Sequence, residues 1–425
     1  MWGEVGLPAG SAERPRRRVV LSGAGVLSSI GIGVAEFAAS LRAGRVGTGP
    51  ITLFDTTGFK YARGHQVADI DLRKWVQRIQ LDQLGRASQF SVAAARMAID
   101  DAGISADSLR ARKGLIAIGT TDGEGHDLDQ MAATMLYEGL ESVEPEHARR
   151  VPAVRISTAI ARELGLWNVE VSTIPTACAA GNYALGSGFD AVRSGEVDFA
   201  LVGGSDALCR KNFAGFYRIG LISPDECRPF DAERDGLLTG EGAGVMLIES
   251  EESALARGAH IYAEILGYGL NCDAHHPVAP EENSVARCME LALTDANVAP
   301  GDVDMISAHG SGTKMNDVTE ARAINQVYGE SRPPVIGIKS MTGHTMGAAS
   351  ALGSIASALA IKHGFIPPTA NHHTTDPECI VDCVPNRAIE ADVRIAQNNA
   401  LAFGGNNSVV ILGRYDAAEA GDGHE

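Results

Sequence analysis

A chain of 425 residues that is 45% hydrophobic and 21% charged has material for a sizeable core and too little charge to stay disordered. Its formal net charge of −17 argues against a general nucleic-acid binder, which needs a concentrated basic surface. The seven cysteines (Cys178, Cys209, Cys227, Cys272, Cys288, Cys379 and Cys383) are odd in number and irregularly spaced, which does not suit a disulfide framework. No stretch offers the ~18 uninterrupted apolar residues of a membrane span, and MWGEVGLPAGSAERPRRRVV lacks the apolar centre of a signal peptide. A reducing, cytoplasmic setting, with no membrane contact, is the default expectation.

Residues 1–17 and the acidic tail 416–425 read as flexible ends. Between them, short runs rich in Val and Ile alternate with helical patterns. Strands are predicted at RVVLSGAG, GLIAIGTT, VEVSTIP, DFALVGGS, AGVMLIE, DMISAHG, PVIGIKS and NSVVILG. Helices are predicted over Ser88–Ala102, Ala179–Arg193, Ser284–Ala296, Val318–Tyr328 and Thr345–His363. Short, buried-looking strands separated by helices imply an α/β architecture with sheets covered on both faces.

The chain also hints at internal duplication. TACAAGNYALGSGFDAVRSGEVDFALVGG is a turn, an Ala- and Gly-rich helix and a strand, and SMTGHTMGAASALGSIASALAIKHG begins the same way. Helices so rich in Gly, Ala and Ser suit close approach deep in a protein. Two halves meeting there, 18–266 and 267–415, would bring both turns to one pocket.

Cys178 sits where a strand turns into a helix. A helix start favours negative charge and lowers a thiol's pKa, although free cysteines are commonly inert core residues. His309 ends the strand DMIS in AHGSGTKMND, where Gly310 and Gly312 permit a tight turn. Such a histidine is as readily structural as functional. Lys339 and His344 lie in IGIKSMTGHTMGAAS; a histidine near a helix start is disfavoured as a cation and can donate one hydrogen bond to a developing oxyanion. Glu320, eleven residues past His309, is a natural charge partner for it. AFGGNNSVV is a glycine turn entering the last strand.

Three other readings fail on spacing. SGAGVLSSIG has Gly23 and Gly25 but Ser28 where a dinucleotide-binding oxidoreductase wants a third glycine. No phosphate-binding GxxxxGK[ST] loop is present. Cys379 and Cys383, and the pairs His275–His276 and His372–His373, lack the second spaced pair of a zinc site, so no metal is expected.

TACAAG, HGSGTKMND, IKSMTGHTMGAA and FGGNN, in this order, resemble the β-ketoacyl-acyl carrier protein synthases of the thiolase-fold superfamily, from about Val19 to Tyr415. The resemblance implies a duplicated five-layer α/β/α/β/α fold, a dimer, and no metal or organic cofactor. It implies that Cys178 accepts the acyl group. His309 and His344 would promote decarboxylation of a malonyl extender, Lys339 would act electrostatically, paired with Glu320, and the backbone N–H groups of Phe403 and Cys178 would form the oxyanion hole. Ser311, Asn406 and Ser350 depart from the commonest family residues, and the last two put substrate choice in question. The partner is an acyl carrier protein, expected to dock on Arg73, Lys74 and Arg78 of DLRKWVQRIQ, with Arg210 and Lys211 as the next candidates. Residues 74 and 78 would share a helix face. Non-catalytic chain-length factors of this fold lack the nucleophilic cysteine. Cys178 with both histidines therefore argues against the alternative that this chain is itself such a factor, which is instead an alternative partner to a second copy of the chain. The AFGGNN loop and Arg-rich N-terminus lean towards a type II polyketide or polyene-type pathway, with a fatty-acid-elongating 3-oxoacyl-ACP synthase II as the alternative.

Overall fold

The computed structural model describes residues 17–416, so the two expected flexible ends lie outside the described residues except for Arg17 and Asp416. The first half runs β1 (Val19–Ser28), α1 (Arg86–Asp101), β2 (Gly114–Gly119), α2 (Arg155–Leu164), β3 (Val169–Ile174), α3 (Ala180–Arg193), β4 (Phe199–Asp206), α4 (Arg210–Arg218) and β5 (Gly242–Ser250). The second runs β6 (Ala263–Cys272), α5 (Glu282–Ala296), β7 (Met305–Ser307), α6 (Lys314–Tyr328), β8 (Val335–Ile336), α7 (Ala348–His363), β9 (Ile395–Leu401) and β10 (Asn406–Gly413).

The two halves share one topology. In space the strands run β3-β2-β4-β5-β1 in the first half and β8-β7-β9-β10-β6 in the second. In each, the first three are parallel and the last two antiparallel to their neighbours. A short antiparallel contact of Val19–Leu21 with Ala263–Ile265 joins them into one ladder. Helices α1 and α2 cover the first sheet, α5 and α6 the second, and α3 and α7 pack on each other between the sheets. This is the expected five-layer, thiolase-like arrangement.

Composition explains the middle layer. Every residue of α7 from Ala348 to Ile361 is buried, so a polar face would be misplaced there. Small side chains let the helices touch: a Cβ on Gly181 would lie 2.7 Å from the Ala351 nitrogen and 2.8 Å from Ser350 Oγ.

All eight predicted strands and five predicted helices are present, with ends shifted by up to four residues. Lys339, read as the end of a strand, instead opens a short helix, Lys339–Thr342. Two central strands were missed. In β6 Gly267 and Gly269 interrupt the apolar run because α5 passes too close for a Cβ. In β9 the buried Gln397, Asn398 and Asn399 disguise the strand as a polar loop. A division at 266/267 would cut β6, and we propose that the halves part in the segment 251–262 ahead of it.

Candidate active site

Beyond β3, Pro175 ends the pairing and Ala177 adopts φ 51, a left-handed conformation that non-glycine residues seldom take. This turn aims Cys178 at the core, where it is 5% exposed. Burial dominates its chemistry: the thiol's pKa is pushed up to about 11, while Lys339 and the backbone N–H groups of Phe403 and Cys178 pull it down. The expectation that the helix start would lower the pKa is therefore corrected, because desolvation of the thiolate outweighs the donors around it.

His309 follows β7, with Gly310 (φ 42) and Gly312 (φ 78) shaping the turn after it. Glu320 on α6 holds this turn by its backbone: it accepts from the N–H of His309 at 2.7 Å and of Gly310 at 2.8 Å, and from Asn399 Nδ2 at 3.1 Å. It does not grip the imidazole, as the sequence suggested. Nor does it form a direct ion pair with Lys339, whose Nζ donates to the His309 carbonyl and lies 3.4 Å from His309 Nδ1. Burial lowers the Lys339 pKa and the charge of Glu320 opposes that shift.

His344 Nδ1 accepts the N–H of Met346 at 3.1 Å. A neutral ring with that acceptor carries its proton on Nε2, and an Lys339 ammonium at Nδ1 imposes the same tautomer on His309. Both imidazoles have pKa values well below the ordinary range, first through burial and then through Lys339. The two rings stand 5.4 Å apart between centroids at 72°. They are neutral hydrogen-bond donors at physiological pH.

Cys178, His309, His344 and Phe403 line one cavity of about 380 Å³, together with Phe216, Leu237, Met315 and Leu401. The Phe403 ring packs on Phe216 of α4, centroids 5.4 Å apart, and the turn after it uses Gly404 (φ 86) and Gly405 (φ 84). Gly404 N–H donates to the Pro277 carbonyl at 2.8 Å. Of the family departures, Asn406 opens β10, and Ser350 is buried between α3 and α7, where its Oγ accepts the Asn182 N–H at 3.1 Å.

Arg73, Lys74 and Arg78 lie apart from this cavity's lining, all exposed. Arg73 is paired with Asp71 (Nε–Oδ1 2.8 Å) and Lys74 sits over the Trp75 ring. A single 3₁₀ turn, Leu72–Lys74, replaces the expected helix, so residues 74 and 78 do not share a helical face. Arg210 Nε donates to the Asp55 carbonyl at 3.1 Å and Lys211 pairs with Asp122. Among the described residues no three His, Cys, Asp or Glu side chains gather as a metal site requires, and no helix is long and apolar enough to cross a membrane. Sequence reasoning missed Asp206, the buried carboxylate ending β4; its signal was an acidic residue closing the apolar run FALVGGS.

A buried thiol and two imidazoles lining one cavity where two like halves meet form the candidate active site of a thiolase-like fold. Residues 16–254 match the family model "Beta-ketoacyl synthase, N-terminal domain" and residues 262–373 match "Beta-ketoacyl synthase, C-terminal domain". The chain belongs to the β-ketoacyl synthase family and is an acyltransferase of the 3-oxoacyl-ACP synthase type. It is 36% identical over 415 residues to 3-oxoacyl-[acyl-carrier-protein] synthase 2 of Synechocystis sp., covering 95% of this chain and 100% of the relative. It is 37% identical over 401 residues to Nodulation protein E of Rhizobium sp., covering 93% and 99%. Among solved structures, the ishigamide ketosynthase/chain length factor matches at 59% identity and TM-score 0.93, covering 94% of this chain and 100% of that one. A type II PKS ketosynthase in complex with its acyl-carrier protein, AntDE:AntF, matches at 34% identity and TM-score 0.86, with the same coverage.

Proposed function

We propose that this chain joins a Cys178-bound acyl group to a malonyl group carried by acyl carrier protein, with loss of carbon dioxide, in a type II polyketide or polyene-type pathway. The observation that carries this reading is the convergence of the Cys178 thiol and the His309 and His344 rings on one cavity.

The chemistry follows from that convergence. Cys178 attacks the acyl thioester as a thiolate; the carrier's thiol leaves with the proton, and the N–H groups of Phe403 and Cys178 stabilise the tetrahedral oxyanion. A malonyl thioester then loses carbon dioxide, and its carbonyl oxygen, becoming an enolate, takes hydrogen bonds from the two Nε2–H groups. The enolate carbon attacks the acyl–Cys178 carbonyl, forming the new carbon–carbon bond and releasing the Cys178 thiolate. Neutral donors suit this task because they do not lend a proton that would quench the enolate. Lys339 and Glu320 hold the His309 turn from behind.

The pathway assignment rests on likeness: 59% identity to the ishigamide ketosynthase/chain length factor against 34% to 37% to the curated relatives, most of them named 3-oxoacyl-[acyl-carrier-protein] synthase 2. Transfer of short saturated acyl groups from a fatty-acid carrier protein, at full rate and without a second subunit, would favour the fatty-acid alternative instead. A partner of the same fold is supported by an unpaired edge. Among the described residues β3 pairs only with β2, whereas its counterpart β8 is bridged on its outer side at Val335–Cys383. A half-buried edge strand of this kind pairs readily with another chain. Trp167, just ahead of β3, is 78% exposed. The occupant in this reading is a chain-length-factor-like homologue or a second copy, and the acyl carrier protein docks at Arg73, Lys74 and Arg78.

His309→Ala and His344→Ala test the assignment. Each is expected to slow carbon dioxide release from malonyl-carrier protein by about 100-fold or more while self-acylation of Cys178 persists. Loss of acylation as large as the loss of decarboxylation would assign the rings to cysteine activation instead.

A further inference from the structure

The two halves build one turn twice. Thr176–Ala177–Cys178 leads into α3 with φ 51 at Ala177, and Thr345–Met346–Gly347 leads into α7 with φ 52 at Met346. Both threonine hydroxyls are buried and, among the described residues, without a hydrogen-bond partner. Gly181 and Ser350, each three residues further on, lie against each other. Gly347 therefore stands in the second half where Cys178 stands in the first.

What occupies the two turns differs. At the first, the backbone N–H of Cys178 faces its own sulfur and the cavity. At the second, the N–H of Gly347 is already engaged: it donates to Asp206 Oδ2 at 2.6 Å. Asp206 is fully buried at the end of β4 and also accepts from the N–H groups of Thr121 (2.8 Å) and Asp122 (3.0 Å) and from Thr120 Oγ1 (2.7 Å). Four donors converge on a carboxylate that touches neither thiol nor imidazole. A Cβ on Gly347 would come within 2.8 Å of Asp206 Oδ2 and 2.5 Å of Thr120 Cα, so the glycine is what admits the contact.

We propose that Asp206 is a positioning residue for His344, filling the second turn as the substrate's oxyanion fills the first and thereby fixing the segment from His344 to Gly347. The link is short. Gly347 is held by Asp206, its neighbour Met346 donates to His344 Nδ1, and that hydrogen bond selects the Nε2–H tautomer and aims it. Asp206 also links the halves, since it comes from β4 and grips the start of α7.

This inference rests on His344 acting in decarboxylation, so the test carries His344→Ala as a reference. The full-length protein is assayed for carbon dioxide release from malonyl-carrier protein, for acyl transfer to Cys178 and for the pH profile of Cys178 alkylation. In Asp206→Asn no orientation of the carboxamide offers acceptors to all four donors. Carbon dioxide release is expected to fall about 10- to 100-fold, with acyl transfer close to wild type. The charges acting on the thiol are Lys339, which lowers its pKa, and Asp206, which raises it. Removing the carboxylate is thus expected to move the alkylation profile to lower pH, a shift that loosened packing alone would not produce. Burial and the neighbouring Asp122, itself paired with Lys211, raise the Asp206 pKa to about 7, so the profile is read at about pH 8 to 10, where Asp206 is charged. Thr120→Val, which removes one donor and keeps the charge, is expected to lower carbon dioxide release by less and to leave the profile without a shift to lower pH. Wild-type carbon dioxide release in both variants, with His344→Ala impaired, would overturn the role of Asp206. So would equal loss of acyl transfer and decarboxylation. Undiminished release in His344→Ala would instead remove the reading on which the inference stands.

Discussion

The turn before α3 and the turn before α7 each place a residue at positive φ after a threonine, yet one carries a cysteine and the other only a glycine. The difference teaches where function enters a duplicated fold. Topology supplies two strained turns at the contact of α3 and α7, and a single side chain, Cys178 against Gly347, divides the labour. In the proposed reaction the first half takes up the acyl group. The second supplies His309 and His344, and its own turn is closed by a carboxylate from the first half. Neither half holds a complete site.

Breaking that comparison at its sharpest point should have the largest effect. Cys178→Ser keeps the turn and removes the soft nucleophile; condensation is expected to fall by at least about 1,000-fold, measured as 3-oxoacyl product per minute. Substantial turnover in that variant would show that the first turn is not where the acyl group resides.

The burial of the first turn makes a second expectation. With its pKa pushed up to about 11, Cys178 is a thiol through the physiological range, and its thiolate fraction rises about tenfold per pH unit below that value. Inactivation by iodoacetamide is therefore expected to accelerate about 100-fold between pH 7 and 9 with no plateau. A plateau near neutrality would mean that the donors around the sulfur outweigh its desolvation. The neutral histidines, by contrast, should leave malonyl decarboxylation flat between about pH 8 and 9, where Asp206 is charged and the imidazole pKa values lie well below.

The smallest effect is expected outside both turns. Arg73→Glu with Lys74→Glu should raise the apparent KM for carrier-bound substrate, by about tenfold at low salt and less as salt rises, with kcat little changed. Acylation by a small thioester should not respond. An unchanged KM would move the docking surface towards Arg210 and Lys211.

Much of this was legible in the residues. Cys178, His309 and His344 each stand beside a glycine or alanine at a turn, Lys339 closes an apolar run, and the like beginnings of the TACAAG and SMTGHTMGAAS segments pointed to the paired turns. What stayed hidden was whatever depended on burial and on contacts distant in sequence. The thiol's raised pKa comes from a desolvation that no local pattern records. Glu320 sits at a suggestive spacing from His309 but takes its backbone rather than its ring. Strand β9 reads as polar because Gln397, Asn398 and Asn399 are satisfied only by one another and by groups on other elements. Asp206 showed only as an acidic residue closing an apolar run, because its partner, Gly347, lies 141 positions away.

The central claim, that the two halves share one reaction with the acyl group on the first turn, is tested most directly by peptide mapping. The protein is incubated with an acyl-carrier-protein thioester, digested at acidic pH and analysed by mass spectrometry. One acyl group on the peptide carrying Cys178, retained in His309→Ala and His344→Ala and absent in Cys178→Ser, is the expected result. An acyl group on any of the other six cysteines, or its loss in the histidine variants, would contradict the division of labour between the halves.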